Sequence, residues 1–152
     1  MYQALFQEFV DAKKYPLAIT SQVPLLVEEL ISGQSLTCDG FVYKGEINFI
    51  GLVDTVEAQD LSVDCYAFPS QVSQVQKNAI YERITNFIQN SGLDNSFFSA
   101  EFWIQEQNSL ILIEMNARMS VTFSSLYQHS LNLNLPLACL LYTSDAADDP
   151  AS

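Results

Sequence analysis

The stretch that decides the fold is AEFWIQEQNSLILIEMNARMS, residues 100–120. Residues 97–105 and 109–115 are rich in aromatic and β-branched side chains and flank a short polar segment, which predicts a β-hairpin. If Gln107 and Asn108 form the loop, Glu101 lies opposite Glu114 across the ladder. Asn116 then emerges on the same face, because side chains alternate along a strand.

This pattern predicts a magnesium site. Two carboxylates on opposed residues have Cβ atoms about 5 Å apart, close enough to share a hard cation that prefers oxygen ligands. An ordinary hairpin is the alternative, because strand glutamates often face solvent and a one-residue change in the loop separates Glu101 from Glu114. Arg118 follows the strand, where it is either an exposed loop residue or a group that binds phosphate or carboxylate.

The same stretch resembles the metal-binding hairpin of the ATP-grasp superfamily. The resemblance implies that Glu101, Glu114 and Asn116 hold one or two Mg²⁺ ions, or Mn²⁺, against the phosphates of ATP. It also implies a catalytic role for Arg118, which would steady the transferred phosphoryl group or an acyl phosphate.

Residues 24–33, PLLVEELISG, form a second informative segment. Its apolar run turns polar at Glu28 and ends at Gly33, which is typical of a strand leaving the core. The segment is similar to the adenine-binding hinge of ATP-grasp proteins, which implies that Glu28, Glu29 and Ile31 line a purine pocket. An edge strand with solvated glutamates is the alternative. Ser35 stands where family members commonly carry an acidic residue for the ribose.

Composition excludes several classes of protein. The chain has 152 residues and a net charge of -12, with only six lysines and arginines, which argues against a nucleic-acid surface. No apolar run approaches the roughly 20 residues that a membrane span needs. Three scattered cysteines indicate neither a zinc site nor a disulfide framework. We expect a soluble cytoplasmic protein of one domain or less, and the oligomeric state stays open.

The remaining patterns predict an α+β fold in which helices back an antiparallel β-sheet, as in the C-terminal subdomain of ATP-grasp proteins. The lone His129 has no motif around it and is interpreted as a surface residue. The predicted elements are a helix over 3–14, strands over 36–43, 46–56 and 61–68, a helix from 69–70 to Gly92, and helices over 122–131 and from 135 onward. A tight hairpin turn at Lys44 and Gly45 is predicted to join the first two of these strands.

The long predicted helix carries an apolar stripe that is expected to pack on the sheet. Its members are Val72, Val75, Ala79, Ile80, Ile84, Phe87 and Ile88.

We expect residues 1–138 to be the C-terminal half of an ATP-grasp domain that lacks the Gly-rich half. Residues 139–152 resemble a translated sequencing adapter and are interpreted as a non-native tail, with a genuine polar tail as the alternative. The resemblance implies that the parent enzyme is an ATP-dependent ligase, which activates a carboxylate as an acyl phosphate for attack by an amine or another nucleophile. The fragment alone is expected to be inactive. The alternative is a non-catalytic nucleotide-binding or regulatory module, which Ser35 and the absent half favour.

Overall fold

The computed structural model describes Glu29 and residues 31–58, 62–105 and 109–147, with side chains as far as Leu141. The chain divides into two compact units, Met1–Leu30 and Ile31–Ser152. The fold below is that of the second unit. The helix predicted over 3–14 lies outside the described residues.

Five antiparallel strands form one sheet in the described part of the second unit. Their order across the sheet is β3-β2-β1-β4-β5, so β1 is central. The strands are β1 (Gln34–Tyr43), β2 (Glu46–Glu57), β3 (Val63–Ala67), β4 (Ser96–Ile104) and β5 (Leu110–Asn116).

The predicted turn between β1 and β2 is confirmed. Lys44 and Gly45 have φ angles of 49° and 81°, and the two strands close on the pair Tyr43 and Glu46. Positive φ at both central residues is the conformation that a tight hairpin turn requires, because it matches the twist of the strands.

Three helices pack with the sheet among the described residues: α1 (Gln74–Ser91), α2 (Ser124–Leu131) and α3 (Leu135–Ala147). The predicted start of α1 at residues 69–70 is wrong. The backbone N–H of Gln71 and the hydroxyl of Ser70 donate to the carboxylate of Asp54, which ties this segment to β2. The helix begins instead after Ser73, which forms a reciprocal capping box with Gln76.

α1 covers the first face of the sheet through Ile80, Ile84 and Ile88, which are all buried. The predicted stripe was too broad, because Val75 is 73% exposed and Phe87 is 41% exposed. Val75 precedes Ile84 by about two and a half helical turns, so the two side chains point in opposite directions. The strand residues buried under α1 are Leu36, Cys38, Val42, Leu52, Phe98, Ala100, Phe102 and Ile104.

α2 and α3 cover part of the second face. Their buried residues Phe123, Tyr127 and Leu135 form one cluster with Val53 and Phe97 of the sheet. The expectation of an antiparallel sheet backed by helices is therefore confirmed. None of the helices described is both long and apolar enough to span a membrane.

Candidate functional site

The hairpin of β4 and β5 brings Glu101 opposite Glu114, as predicted, and pairs Ser99 with Asn116. The predicted uniform register is wrong nearer the loop. A two-residue loop would place Phe102 opposite Ile113, but the structure pairs Phe102 with Leu112. The register changes by one residue between Glu101 and Phe102.

A β-bulge explains why the carboxylates still face each other. Ile113 has no partner in the ladder and is 45% exposed, so it is the additional residue of β5. If Ile113 were paired with Glu101 instead, the register of the loop end would continue and Glu114 would lie opposite Ala100 on the first face of the sheet. The bulge returns Glu114 to the second face beside Glu101.

The two carboxylates interact across the ladder. Burial, the charge of Glu114 and a hydrogen bond with Glu114 raise the pKa of Glu101, while the positive charge of Arg118 opposes the rise. Asn116 donates from Nδ2 to Oε1 of Glu114 at 2.6 Å. A cation between the carboxylates would offset their repulsion, and Oδ1 of Asn116 would supply a third oxygen.

A cavity of about 240 Å³ lies on the second face. Glu101, Asn116 and Arg118 line it, and Glu114 joins the set through Glu101 and Asn116. Aromatic and aliphatic walls come from Val63, Tyr66 and Phe123, and hydroxyl groups come from Ser35, Thr37, Thr55, Ser99, Ser120 and Thr122. A guanidinium beside hydroxyl groups suits a phosphate or carboxylate oxygen.

The predicted ligand atoms are oxygens, which is the type of atom that a hard cation binds. No cluster of three or more His, Cys, Asp or Glu side chains with metal-binding geometry occurs within the described ranges. The predicted ligands are two carboxylates and one amide, which are oxygen donors of the type that Mg²⁺ takes together with water and phosphate.

A larger groove of about 590 Å³ lies beside α1, and it contains none of the predicted site residues. Its charged residues are Glu82 and Arg83 on consecutive helical positions. The smaller cavity is therefore the better candidate, because it combines paired carboxylates, an amide and a guanidinium.

The described structure does not test the predicted adenine residues. Glu28 lies outside the described residues, Glu29 is exposed, and Ile31 is partly buried. Their role stays a prediction. Ser35 lines the cavity, so it is placed to contact a ligand there.

Sequence reasoning missed Asp39 and Tyr127. The Tyr127 hydroxyl donates to Oδ2 of Asp39 at 2.8 Å, and the side chains are 0% and 2% exposed, respectively. Burial raises the pKa of Asp39, although the hydroxyls of Ser99 and Tyr127 and the charge of Arg118 oppose the rise. An acidic residue within the apolar run of β1 was the available signal.

Comparison with solved structures shows the same fold. An L-amino acid ligase from Bacillus licheniformis is 15% identical, with 70% of this chain and 28% of that chain covered and a TM-score of 0.61. The biotin carboxylase domain of a single-chain bacterial carboxylase is 14% identical, with 76% and 27% covered and a TM-score of 0.65.

A third similar structure was crystallised with MgADP. It is the biotin carboxylase domain of 2-oxoglutarate carboxylase from Hydrogenobacter thermophilus, 21% identical, with 59% of this chain and 20% of that chain covered and a TM-score of 0.51. The chain thus spans about a quarter of the length of these three proteins.

No curated protein matches the chain. The family model described as the ATP-grasp domain matches residues 2–124, which is most of the sequence. The chain therefore belongs to the ATP-grasp family.

Proposed function

We propose that this chain supplies the metal- and phosphate-binding part of an ATP-dependent ligase. The observation that carries the proposal is the convergence of Glu101, Glu114 and Asn116 on one face, with Arg118 lining the same cavity. Phosphoryl transfer depends on positioning and on neutralising negative charge, and these groups are of the types that do both.

In this proposal Glu101, Glu114 and Asn116 bind one or two Mg²⁺ ions, with Mn²⁺ as a substitute. When bound, the metal acts as a charge clamp on the phosphates of ATP. The MgADP complex of the similar carboxylase domain supports the choice of nucleotide and metal. Arg118 is the catalytic residue, because its guanidinium is suited to hold a phosphoryl or acyl phosphate oxygen.

We further propose that the adenine ring binds along the segment containing Glu28, Glu29 and Ile31. The backbone of an extended segment offers hydrogen-bonding groups to a purine edge without requiring particular side chains. Membership of the ATP-grasp family supports the nucleotide, and the family match includes this segment.

The substrates in this proposal are a small carboxylic acid and an amine, joined through an acyl phosphate. The L-amino acid ligase among the similar structures supports this class of reaction. Because the chain spans about a quarter of that protein, the reaction belongs to the proposed parent enzyme, for which we propose a cytoplasmic location.

A nucleotide-binding module without turnover is the second candidate. Ser35 favours it, because this residue lines the cavity at the position where an acidic residue for the ribose is expected. Such a module would bind Mg²⁺ and ATP through the same side chains without transferring the phosphoryl group.

The first test measures Mg²⁺-dependent ATP hydrolysis by the full-length protein in the presence of candidate acids. Glu114→Gln should lower the rate more than about tenfold, because it removes a proposed ligand charge while keeping the shape of the side chain. Glu82→Gln makes the same chemical change on α1, outside the cavity, and should keep the wild-type rate.

Three outcomes separate the candidates. A large loss in Glu114→Gln alone supports the ligase. Binding of MgATP that needs Glu114, without hydrolysis in the wild type, supports the module. Equal hydrolysis rates in wild type and Glu114→Gln would remove the proposed metal site.

A further inference from the structure

One buried hydrogen bond joins two parts of the chain that are 88 residues apart. Tyr127, in the first turns of α2, donates its hydroxyl to Oδ2 of Asp39 in the centre of β1. Both side chains are almost completely buried. The bond therefore fixes α2 against the central strand of the sheet.

Each end of this bond leads to the candidate site. Asp39 is the ladder partner of Ser99, which lines the cavity and lies two residues before Glu101 on the same face. On the other side, Tyr127 follows the segment 118–123, which supplies Arg118 and Phe123 to the cavity wall. The bond thus connects the second face of the sheet, which carries Glu101 and Glu114, to the segment 118–123, which carries Arg118 and is called the Arg118 wall below.

The packing of the Tyr127 ring does not need the hydroxyl. The ring makes edge contacts with Phe68 and Phe123, at centroid distances of 5.1 and 6.3 Å. These contacts would survive in phenylalanine. Apolar contacts tolerate small displacements, whereas a hydrogen bond between buried groups fixes both distance and direction.

Asp39 is costly as a purely structural residue. Its Oδ1 is buried and accepts no hydrogen bond of good geometry within the described part of the chain, although the Ser99 hydroxyl is near enough to oppose the rise in the pKa of the carboxyl. A buried carboxylate with one unsatisfied oxygen lowers stability compared with an apolar side chain of similar size. A role in positioning the residues of the candidate site would explain why a carboxylate is buried at this position.

We propose that Asp39 and Tyr127 are positioning residues that hold the Arg118 wall at a fixed distance from Glu101 and Glu114. This inference rests on the proposed function in so far as Arg118 meets a phosphate held by the acidic pair. Arg118 lies near enough for its charge to oppose the rise that burial causes in the pKa of Asp39.

Two variants of the full-length protein remove the bond from either end. Tyr127→Phe removes the donor and Asp39→Leu removes the acceptor, and each is compared with the wild type after circular dichroism has shown that it is folded. Asp39→Asn keeps an oxygen acceptor for Tyr127 and serves as the conservative rescue. Tyr81→Phe is the matched hydroxyl deletion, on α1 and packed against Phe49 of the first face.

A readout independent of activity is the ¹³C-methyl NMR signal of methionine. Met119 is next to Arg118 and packs against the second-face cluster, whereas Met115 packs against the first-face cluster. In Tyr127→Phe and Asp39→Leu, the Met119 signal should shift or broaden while Met115 stays at its wild-type position. Met119→Leu in the wild-type background assigns the signal.

The kinetic readout distinguishes positioning from general stability. Misplacement of the wall should lower kcat for Mg²⁺-dependent ATP hydrolysis about tenfold to a hundredfold, with the KM for ATP within about twofold of the wild type. Asp39→Asn and Tyr81→Phe should keep kcat within about threefold of the wild type.

The inference is overturned if a folded variant lacking the bond keeps both the Met119 signal and kcat of the wild type. If only one of the two variants folds, that variant decides. If the wild type itself does not hydrolyse ATP, the proposed function fails, and the Met119 signals alone then test the positioning role.

Discussion

At the scale of single residues, the site contains carboxylates at positions where their charge destabilises the folded protein. Glu101 and Glu114 are opposed in one ladder, and Asp39 is buried beneath the same face. Like charges opposite each other in a sheet and carboxylates out of water both destabilise the folded state. We expect this cost to be offset when a cation binds, because binding to the folded state adds stability.

The pH dependence of stability tests the burial of Asp39. Burial raises the pKa of its carboxyl above the ordinary value of 3.8, so the folded chain holds this proton more tightly than the unfolded chain. The corresponding stability is present below about pH 4 and is lost as the pH rises through the raised pKa. The Asp39→Asn variant does not lose this stability as the pH rises, because asparagine has no carboxyl group that ionises.

The free energy of unfolding of both proteins is measured in urea from pH 4 to 7. The advantage of Asp39→Asn over the wild type should grow with pH, by at most about 1.4 kcal/mol per pH unit. Titrating groups that do not interact with Asp39 cancel in the difference, whereas Glu101, whose pKa the charge of Asp39 raises, changes the difference in the same direction. A difference that stays constant over this range would show that Asp39 ionises as easily in the folded chain as in the unfolded one.

At the scale of elements, the bulge in β5 and the cap of α1 decide where side chains point. Ile113 shifts the register by one residue, so the side chains of Glu114 and Asn116 lie on the second face of the sheet. Ser73 starts α1 through a capping box rather than through the Pro69-Ser70 signal read from the sequence. Both features depend on local geometry that the periodicity of apolar residues does not specify.

Removal of the cap tests the start of α1. Ser73→Ala should lower the free energy of unfolding by about 1 kcal/mol, because the hydroxyl accepts the N–H of Gln76 at the helix N-terminus. Ser125→Ala is the same substitution at an exposed position inside α2 and should change stability by less than about 0.5 kcal/mol. Equal effects of the two variants in urea unfolding would contradict the assigned cap.

At the scale of the whole unit, one sheet separates two apolar clusters. The first contains Ile84 of α1, and the second contains Tyr127 of α2. Because both clusters share β1 and β4, loss of one should weaken the entire sheet rather than release one helix.

A core substitution tests this coupling. Ile84→Ala should lower the free energy of unfolding by about 2–5 kcal/mol, because it leaves a cavity between α1 and the sheet. Trp103 is the only tryptophan and lies on β4, so its fluorescence reports on the sheet while far-ultraviolet circular dichroism reports on the helices. Both signals should shift together in urea, and Val75→Ala, at an exposed position of the same helix, should shift neither by much. Separate transitions would contradict a shared core.

The division of the chain at residue 138 remains a prediction. α3 extends from Leu135 to Ala147 and runs across the proposed boundary. The family match ends at residue 124 and does not reach it. The coding DNA beyond codon 138 would show whether an adapter sequence is present.

The sequence by itself determined the sheet, its hairpins and the types of residue at the site, because alternation of apolar side chains and tight-turn residues act locally. Lys44 and Gly45 form the turn between β1 and β2, and Gly92 caps the C-terminus of α1, each at the place that the sequence predicts. The sequence also predicted that Glu101 and Glu114 lie opposite each other, although the prediction assumed one uniform register and the structure has a one-residue shift next to Glu101.

Only the tertiary structure decided how these parts meet. Two features depend on contacts between residues far apart in the chain. They are the hydrogen bonds from the segment before α1 to Asp54 and the bond between Tyr127 and Asp39. Local periodicity carries no information about such contacts, because a buried polar group finds its partner only when distant elements have packed. That packing places Arg118 and the acidic pair around one cavity.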